Sequence, residues 1–375
     1  MQSEQAGLYI HIPFCLSKCG YCSFYSIKSI NLFSQFLAAL KKEIEFYRHD
    51  FTYFDTIYIG GGTPSLLTVQ QLADIFSSIN KTYKISPRTE ITIEVNPGDV
   101  SDEYLRALRS LGINRLNIGI QSFDDGVLDF LGRRHTVSEA IIAVDYARAN
   151  GFNNIGMDLI YGIHNQDIKL WKKTLQKALS FSPEHISCYQ LSLDERTPLY
   201  KRYKQSGFSL PEENAQVKFF MTTADLLEES SYIHYEVSNF ARSNNLRSRH
   251  NMKYWQHTPY LGLGPGAHSY LHQKRWWNLP SVNGYLKKIK QGTLPVDNSE
   301  ELTLEQLQLE ALFLGLRTKA GIDLKLYKSK YKTDLLIEKK MIIDKLLENK
   351  ILKLNRGFLT PTRAGLAIAD SLALI

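Results

Sequence analysis

The run Tyr9-Ile-His-Ile-Pro-Phe-Cys-Leu-Ser-Lys-Cys-Gly-Tyr-Cys22 decides the fold prediction, because it places Cys15, Cys19 and Cys22 directly after an apolar segment. This C-x3-C-x2-C spacing supplies three thiolates, whereas a [4Fe–4S] cluster bound by cysteine alone uses four. One iron of such a cluster stays open to the amino and carboxylate groups of S-adenosylmethionine (SAM). The alternative is a zinc site that lacks its fourth ligand. The spacing favours the cluster.

The bulk composition is that of a globular protein, with 375 residues, 43% hydrophobic and 22% charged. The N-terminus lacks the pattern of a signal peptide, and no apolar run is long enough to predict a transmembrane segment. Four cysteines argue against a disulfide scaffold, so we expect a reduced, cytoplasmic setting. Cys188, the cysteine outside the loop, is predicted to be a small buried residue.

The formal net charge of +7 favours acidic partners, such as nucleic acid or anionic lipid. The lysine-rich stretch 325–353 is interleaved with acidic residues, however, and this pattern is typical of a solvated helix face. No basic stripe carries the interleaved aromatic residues that stack on bases. The sequence therefore predicts no nucleic-acid partner.

Short apolar runs alternate with helical patterns through the first half of the chain. The runs are 8–12, 56–59, 90–95, 115–120, 154–160 and 184–193, and the readable helices are 32–47, one that opens at Thr68, 101–112 and 138–150. Such alternation predicts a parallel sheet covered by helices. Because six units are fewer than the eight of a closed barrel, we expect an open, partial (β/α)6 barrel of the TIM type.

The pattern changes after about residue 200. We predict a strand at 235–240, an ordered functional loop at 244–270, a linker at 292–299, helices at 301–316 and 334–350, a hairpin at 351–360 and a last helix. The predicted division is a core of residues 1–235, a linking segment of 236–298 and a helical, winged-helix-like domain of 299–375.

Polar residues and glycines cluster where the predicted strands end. Gly60-Gly-Gly-Thr63 follows the second strand, and glycine lets a ligand approach without meeting a Cβ. Glu94, Gln121 and Asp158 lie at the ends of later strands, and Arg133 follows on the next helix. These side chains either satisfy one another and cap helices, or hold the ribose and methionyl groups of a cofactor. Their position at one end of the sheet favours the cofactor.

Taken together, these motifs resemble the radical SAM family, and within it the oxygen-independent coproporphyrinogen III oxidase group. The motifs are Tyr-Ile-His-Ile-Pro-Phe-Cys, Gly-Gly-Gly-Thr-Pro-Ser, Glu-Val-Asn-Pro, Gly-Ile-Gln-Ser-Phe and Asp-Leu-Ile-Tyr-Gly. The resemblance covers essentially the whole chain. It implies a [4Fe–4S] cluster and SAM as cofactors, with Tyr21 near the adenine. The SAM contacts that it implies are Tyr9, Tyr21, Gly61, Gly62, Thr63, Glu94, Gln121, Arg133 and Asp158.

Two features separate the chain from the oxidases of that group. The oxidases carry a fourth cysteine two residues after the third, where this chain has Phe24, and a longer N-terminal extension. The chain instead carries His250-Asn-Met-Lys-Tyr-Trp255, which resembles the H-N-x-x-Y-W motif of HemW-type heme chaperones.

That resemblance implies heme contacts by His250, Asn251, Tyr254 and Trp255, since histidine ligates heme iron. The alternative is that His250 is structural and Asn251 holds a turn. Rival ligands are His257, His268 and His272. The residues Arg242, Arg247 and Arg249 could meet heme propionates, and Trp276 and Trp277 are interpreted as packing residues.

The predicted function is a heme chaperone with a radical SAM core, which passes heme to an acceptor apo-hemoprotein. A membrane-bound respiratory enzyme is one candidate acceptor, and the chain is expected to be a monomer or a weak homodimer. Whether SAM is cleaved productively is left open. The alternatives are oxygen-independent coproporphyrinogen III oxidase and a radical SAM enzyme that modifies RNA.

Overall fold

The computed structural model describes residues 5–205 and 207–372. Its strands are β1 (Ala6–Ile12), β2 (Tyr53–Gly61), β3 (Lys84–Val95), β4 (Arg115–Gln121), β5 (Ile155–Tyr161), β6 (His185–Gln190), β7 (Ile233–His234), β8 (Asn239–Ala241), β9 (Tyr260–Leu263), β10 (His268–Leu271), β11 (Lys274–Asn278), β12 (Val296–Glu301), β13 (Ile322–Asp323), β14 (Leu352–Asn355) and β15 (Phe358–Pro361).

Its helices are α1 (Phe33–Phe46), α2 (Val69–Thr82), α3 (Asp102–Ser110), α4 (Asp125–Leu131), α5 (Val137–Ala149), α6 (Ile168–Ser180), α7 (Pro198–Lys204), α8 (Glu213–Glu229), α9 (Arg249–Trp255), α10 (Val282–Lys290), α11 (Leu304–Gly315), α12 (Leu324–Tyr331), α13 (Leu335–Glu338), α14 (Lys340–Glu348), α15 (Arg363–Ala367) and α16 (Ala369–Leu372). Within the described ranges, no helix combines the length and the apolar character needed to cross a bilayer.

The main sheet contains the six predicted strands, β1 to β6, in parallel and in chain order. Its order over the described residues is β12-β11-β10-β9-β1-β2-β3-β4-β5-β6-β8-β7, so the sheet is open. The prediction of a partial barrel is therefore confirmed. The strand β9 joins the free side of β1 in parallel, and β8 joins β6 in antiparallel.

The helices between these strands begin where the sequence predicts. The hydroxyl of Thr68 accepts the backbone N–H of Gln71, and the Gln71 side chain accepts the N–H of Thr68, so both groups are satisfied at the start of α2. The apolar face of α2, which includes Leu72 and Ile75, is buried in the main core. Each such side chain contributes about 1.5–3 kcal/mol through burial.

Three predictions for the segment 235–299 were wrong in detail. The run 235–240 is not one strand, because β7 and β8 pair with each other around the turn between them. The loop predicted at 244–270 contains α9 and β9. The segment predicted as a linker, 292–299, runs into β12. This strand lies at the edge of the main sheet, where one side has no neighbouring strand, and its sequence is polar. Segment 236–298 thus extends the main sheet, and we retain the boundaries at 235 and 298 as a proposal.

The C-terminal region forms a second, smaller core around a three-stranded sheet of order β13-β15-β14. The hairpin predicted at 351–360 is present, and Arg356 and Gly357 form its turn with positive φ. The helix predicted at 334–350 is divided into α13 and α14 at Lys339, and the predicted last helix is divided into α15 and α16.

Candidate functional site

A cavity of about 480 Å³ opens at the C-terminal ends of β1 to β6. The predicted residues that line it are Cys15, Cys19, Tyr21, Cys22, Gly61, Gly62, Thr63, Glu94, Gln121, Arg133 and Asp158. The fold thus gathers these predicted residues from the cysteine loop, four strands and one helix end. Tyr9 is not among the lining residues; its ring lies 6.1 Å from the ring of Tyr58, which does line the cavity.

The cysteine loop is held close to the glycine turn that follows β2. The N–H of Gly62 donates to the carbonyl of Ile12 at 2.8 Å, and a Cβ at Gly62 would lie 2.6 Å from the carbonyl oxygen of Phe14. Glycine is therefore required for this approach. All three thiols are free, and burial raises the pKa of the Cys22 thiol.

Two polar side chains reach the sulfur atoms. The Thr63 hydroxyl donates to Cys15 Sγ at 3.4 Å, and Arg133 Nη1 donates to Cys19 Sγ at 3.5 Å. Arg133 is itself fixed, because Nη2 donates to Asn96 Oδ1 at 2.6 Å and to the carbonyl of Gly119 at 2.8 Å. These contacts fix Thr63 and Arg133 beside the cysteine loop, within the same cavity.

A carboxyl group on β3 also lines the cavity, beside the glycine turn. Glu94 Oε1 accepts the Tyr58 hydroxyl at 2.8 Å, and Oε2 accepts the N–H of Gly61 at 3.1 Å. Burial raises the pKa of Glu94 to about 7, and the charge of Asp158 adds to the shift. A cationic ligand group would favour the ionised form of Glu94.

Asp158 leaves an acceptor without a partner in this cavity. Its Oδ2 accepts Asn117 Nδ2 at 2.6 Å, while Oδ1 is buried without a close hydrogen-bond partner among the described residues, although the nearby Ser187 side chain also acts on this carboxyl. Burial also raises the pKa of Asp158. An unsatisfied buried oxygen is costly in the free protein, so this position suits a ligand that brings a hydroxyl donor. Gln121 completes this side of the cavity, with a positive φ of 65° at the end of β4.

Several lining residues were missed by the sequence analysis. Tyr58 and Asn117 line the cavity although they lie within strands and not at strand ends. Residues paired in register face the same side of a sheet: Tyr58 is paired with Tyr9, and Asn117 is paired with Glu94. The signal was a polar residue inside an apolar strand. Tyr189 and Asn96 also contribute, and Phe24 lines the cavity with 67% of its surface exposed.

The H-N-x-x-Y-W segment lies at the other end of the barrel. It forms α9, whose first backbone N–H groups, those of Arg249 and His250, donate to the Glu90 carboxylate at 3.2 and 3.1 Å. Glu90 pairs in register with Thr56 near the start of β2, whereas the cavity is lined by residues further along these strands, from Tyr58 and Glu94 to their C-terminal ends. The helix α9 therefore packs under the N-terminal end of the barrel.

His250 is enclosed by this arrangement, with 1% of its surface exposed. Its Nδ1 bonds to the Thr56 hydroxyl at 2.9 Å, and its Nε2 bonds to the Tyr254 hydroxyl at 2.9 Å. Burial lowers the pKa of His250 to about 3, so the ring is neutral at pH 7. In this conformation neither ring nitrogen is free for an iron, and ligation of heme by His250 stays a prediction that the geometry does not favour.

The other predicted heme contacts are less enclosed. Asn251, Tyr254 and Trp255 are half-buried, and the Tyr254 ring packs edge-on against Tyr260 at 4.7 Å. Arg249 is already paired with Asp55 at 2.9 Å.

The remaining aromatic and arginine candidates are divided between packing and surface roles. Trp276 is buried against Tyr47 and is a packing residue, as predicted, whereas Trp277 is only half-buried. Arg247 bonds to Asn244, and Arg242 lies 4.0 Å from Glu184.

Comparison with known families identifies the class of protein. Residues 9–178 match the family model of the radical SAM superfamily, and residues 302–368 match the HemN C-terminal domain. The fold agrees with a solved structure of coproporphyrinogen III oxidase (HemN) from Escherichia coli, at a TM-score of 0.86 and 21% identity over 99% of this chain and 89% of that chain. The chain is thus a member of the radical SAM superfamily.

Curated relatives narrow this assignment. The chain is 35% identical over 328 residues to the heme chaperone HemW of Bacillus subtilis (strain 168), with 86% of each chain covered. It is 34% identical over 337 residues to the mitochondrial radical S-adenosyl methionine domain-containing protein 1 of Danio rerio, with 85% of this chain and 74% of that protein covered. The chain belongs to the HemW family, which confirms the resemblance found in its motifs.

Proposed function

We propose that the protein is a heme chaperone, which binds heme and passes it to an acceptor hemoprotein. The observation that carries this proposal is the relationship to HemW along 86% of both chains. We further propose that the protein acts in the cytoplasm, as a monomer or weak homodimer, and that the acceptor is an apo-hemoprotein such as a membrane-bound respiratory enzyme.

Cys15, Cys19 and Cys22 would hold the [4Fe–4S] cluster, since all three thiols are free and line the same cavity. When bound, the cluster and SAM supply radical chemistry. Thr63 and Arg133 would hydrogen-bond to two of the cluster ligands through their contacts with Cys15 and Cys19 at 3.4 and 3.5 Å.

Glu94 would accept a hydrogen bond from the amino group of SAM, since its carboxylate lines the cavity beside Gly61. Asp158 would accept a hydrogen bond from a ribose hydroxyl through Oδ1. Gly61 and Gly62 leave room for the ligand, while Gln121 and Tyr21 bound the adenosine side. Tyr9 does not line the cavity, so it would pack against Tyr58 and support that side chain instead of contacting SAM directly.

For heme, Asn251, Tyr254 and Trp255 remain candidates on the half-buried side of α9. Ligation by His250 would require the loss of its bonds to Thr56 and Tyr254 and a displacement of the helix.

Anaerobic reconstitution followed by titration with hemin tests the proposal. We expect one saturable binding phase, and transfer of the bound heme to excess apomyoglobin as a probe acceptor. The triple variant C15A/C19A/C22A separates the role of the cluster from heme binding, because it lacks the cluster ligands and keeps α9. A wild-type protein that binds no heme, or that binds heme without releasing it to any apo-hemoprotein tried, would overturn the chaperone function.

The second candidate function is coproporphyrinogen III oxidation, which the agreement of the fold with HemN supports. Phe24 stands in the cavity where the oxidases of the resembling group carry a cysteine. An anaerobic assay with coproporphyrinogen III, SAM and a reductant distinguishes the two functions. Formation of protoporphyrinogen over many turnovers would favour the oxidase.

A further inference from the structure

Tyr58 connects the cavity with the H-N-x-x-Y-W helix, α9. Its side chain lines the cavity, and its hydroxyl donates to Glu94 Oε1 at 2.8 Å. Its ring also lies 5.3 Å from the ring of His250, with the two planes 30° apart. One buried side chain therefore contacts both a carboxylate of the cavity and the histidine of the motif.

The ring of His250 is held in one orientation. Both of its nitrogens are hydrogen-bonded, to the hydroxyls of Thr56 and Tyr254. The ring also lies close to the backbone of β1, because a Cβ at Gly7 would be only 3.1 Å from His250 Nδ1. Thr56 and Tyr58 are two residues apart in β2, so they face the same side of the sheet. His250 thus contacts two successive side chains on that face of β2.

Tyr9 completes a group of three rings between α9 and the cavity. Its ring lies 6.1 Å from the ring of Tyr58 and 6.4 Å from the ring of His250. Its hydroxyl bonds to His11 Nδ1 at 3.0 Å, and His11 Nε2 bonds to the carbonyl of Tyr25 at 2.8 Å. The ring cluster of Tyr9, Tyr58 and His250 is therefore tied, through His11, to the segment that follows the cysteines.

The ring cluster limits where the Glu94 carboxylate can lie. Oε1 accepts the Tyr58 hydroxyl and Oε2 accepts the N–H of Gly61, so two donors on β2 fix the orientation of the carboxylate. The position of the Tyr58 hydroxyl depends in turn on the rings that pack against it. Because protein interiors are close-packed, the loss of one ring leaves a space into which a neighbour can move. Without the ring of His250, Tyr58 can shift and its bond to Glu94 weakens.

We infer that His250 is a positioning residue for SAM binding, because its ring holds Tyr58 and Tyr58 orients the Glu94 carboxylate. The H-N-x-x-Y-W helix then supports the SAM site from the opposite end of the barrel. This inference rests on the proposed SAM site, in which Glu94 is an acceptor, and it does not involve heme. Because coupling between two sites is reciprocal, bound SAM should also stabilise α9 against local opening.

Equilibrium dialysis of SAM against the anaerobic, reconstituted full-length protein tests this role, with His250→Ala, Tyr58→Phe and the double variant compared with the wild type. We expect each single substitution to weaken SAM binding about three- to tenfold. The double variant should bind SAM no more weakly than Tyr58→Phe, because the imidazole acts through the hydroxyl that this variant lacks. Single effects that multiply in the double variant would overturn the inference.

Ser248→Ala is the matched control for a general loss of stability. The Ser248 hydroxyl accepts the N–H of Asn251 at the start of α9, so its removal destabilises the helix and leaves the ring cluster in place. SAM affinity should be unchanged in this variant, and iron and sulfide content should match the wild type in all of them. If His250→Ala bound SAM as tightly as Ser248→Ala, His250 would have no positioning role.

Hydrogen exchange of the wild type is a second measurement, and it does not depend on the folding of any variant. Addition of SAM should slow the exchange of residues 251–256 several-fold, leave that of α14 unchanged, and have a smaller effect in Tyr58→Phe. Unchanged exchange in α9 with SAM bound would overturn the inference and leave the SAM site and the chaperone function standing. A wild type with an intact cluster that binds no SAM would overturn the SAM site itself.

Discussion

Replacement of His250 by alanine tests whether α9 closes the base of the barrel. The substitution leaves the hydroxyls of Thr56 and Tyr254 without the partners they have at 2.9 Å. Each unpaired buried group costs about 1–2 kcal/mol. The volume of the lost ring adds a cavity term, so we expect the free energy of unfolding to fall by about 4 kcal/mol at pH 7.5.

The same substitution should change the pH dependence of stability. The pKa of His250 is about 3 in the folded protein and about 6.5 when unfolded. Between these values the unfolded state binds one more proton, so the wild type loses stability as the pH falls. From pH 7.5 to pH 5 this loss is about 2 kcal/mol, and the variant lacks it. The difference between the two proteins should therefore shrink to about 2 kcal/mol at pH 5.

Urea unfolding of the apo-proteins, followed by circular dichroism and tryptophan fluorescence, measures both quantities. The matched control is His268→Ala, which removes an exposed ring and should change stability by less than about 1 kcal/mol. The other buried histidines titrate equally in wild type and variant and cancel in the difference. A difference below about 1 kcal/mol at pH 7.5, or one that does not change with pH, would refute the structural role of His250.

Three further substitutions examine the cavity and the C-terminal region. Gly62→Ala forces a Cβ to within 2.6 Å of the Phe14 carbonyl, so iron and sulfide content after reconstitution should fall; full content would contradict the close packing of the cysteine loop. Glu94→Gln should weaken SAM binding about tenfold in equilibrium dialysis at pH 8. Because the pKa of Glu94 is about 7, the affinity of the wild type for SAM should decline from pH 8 to pH 6. If SAM binding by Glu94→Gln showed the same pH dependence, Glu94 would be excluded as the ionised acceptor. Glu310→Ala removes one of the two carboxylates that pair with Arg275, together with the partner of His257, and should lower the stability of the C-terminal region by about 1 kcal/mol. Faster hydrogen exchange at 302–372 would show this loss, and unchanged exchange would count against these contacts.

The sequence sufficed for the parts of the site that depend on local order. Strand–helix alternation predicted the six parallel strands, and parallel strands bring their carboxyl ends together, so Glu94, Gln121 and Asp158 could be predicted to meet. The cysteine spacing predicted that three thiols would share one wall of the site. These inferences need only the direction of each strand and the position of a residue along it.

What could not be predicted depends on register and on pairing between distant segments. Tyr58 faces the cavity because of its place in the register of β2, which one residue of slippage would reverse. The position of His250 under the barrel follows from the pairing of β9 with β1, two strands far apart in the chain. The motif alone shows a histidine among aromatic residues, and that composition is equally compatible with a ligand and with a buried, hydrogen-bonded ring.

The pairing of Tyr260 with Gly7 has a consequence during translation. At about 5–20 residues per second, the ribosome takes on the order of 10–50 s to reach β9 after β1 has been made. Throughout that interval one side of the first strand lacks its neighbour, and the thiols just beyond it belong to an unfinished scaffold. Assembly of the proposed cluster in a nascent chain therefore depends on a segment that is synthesised long after the three cysteines.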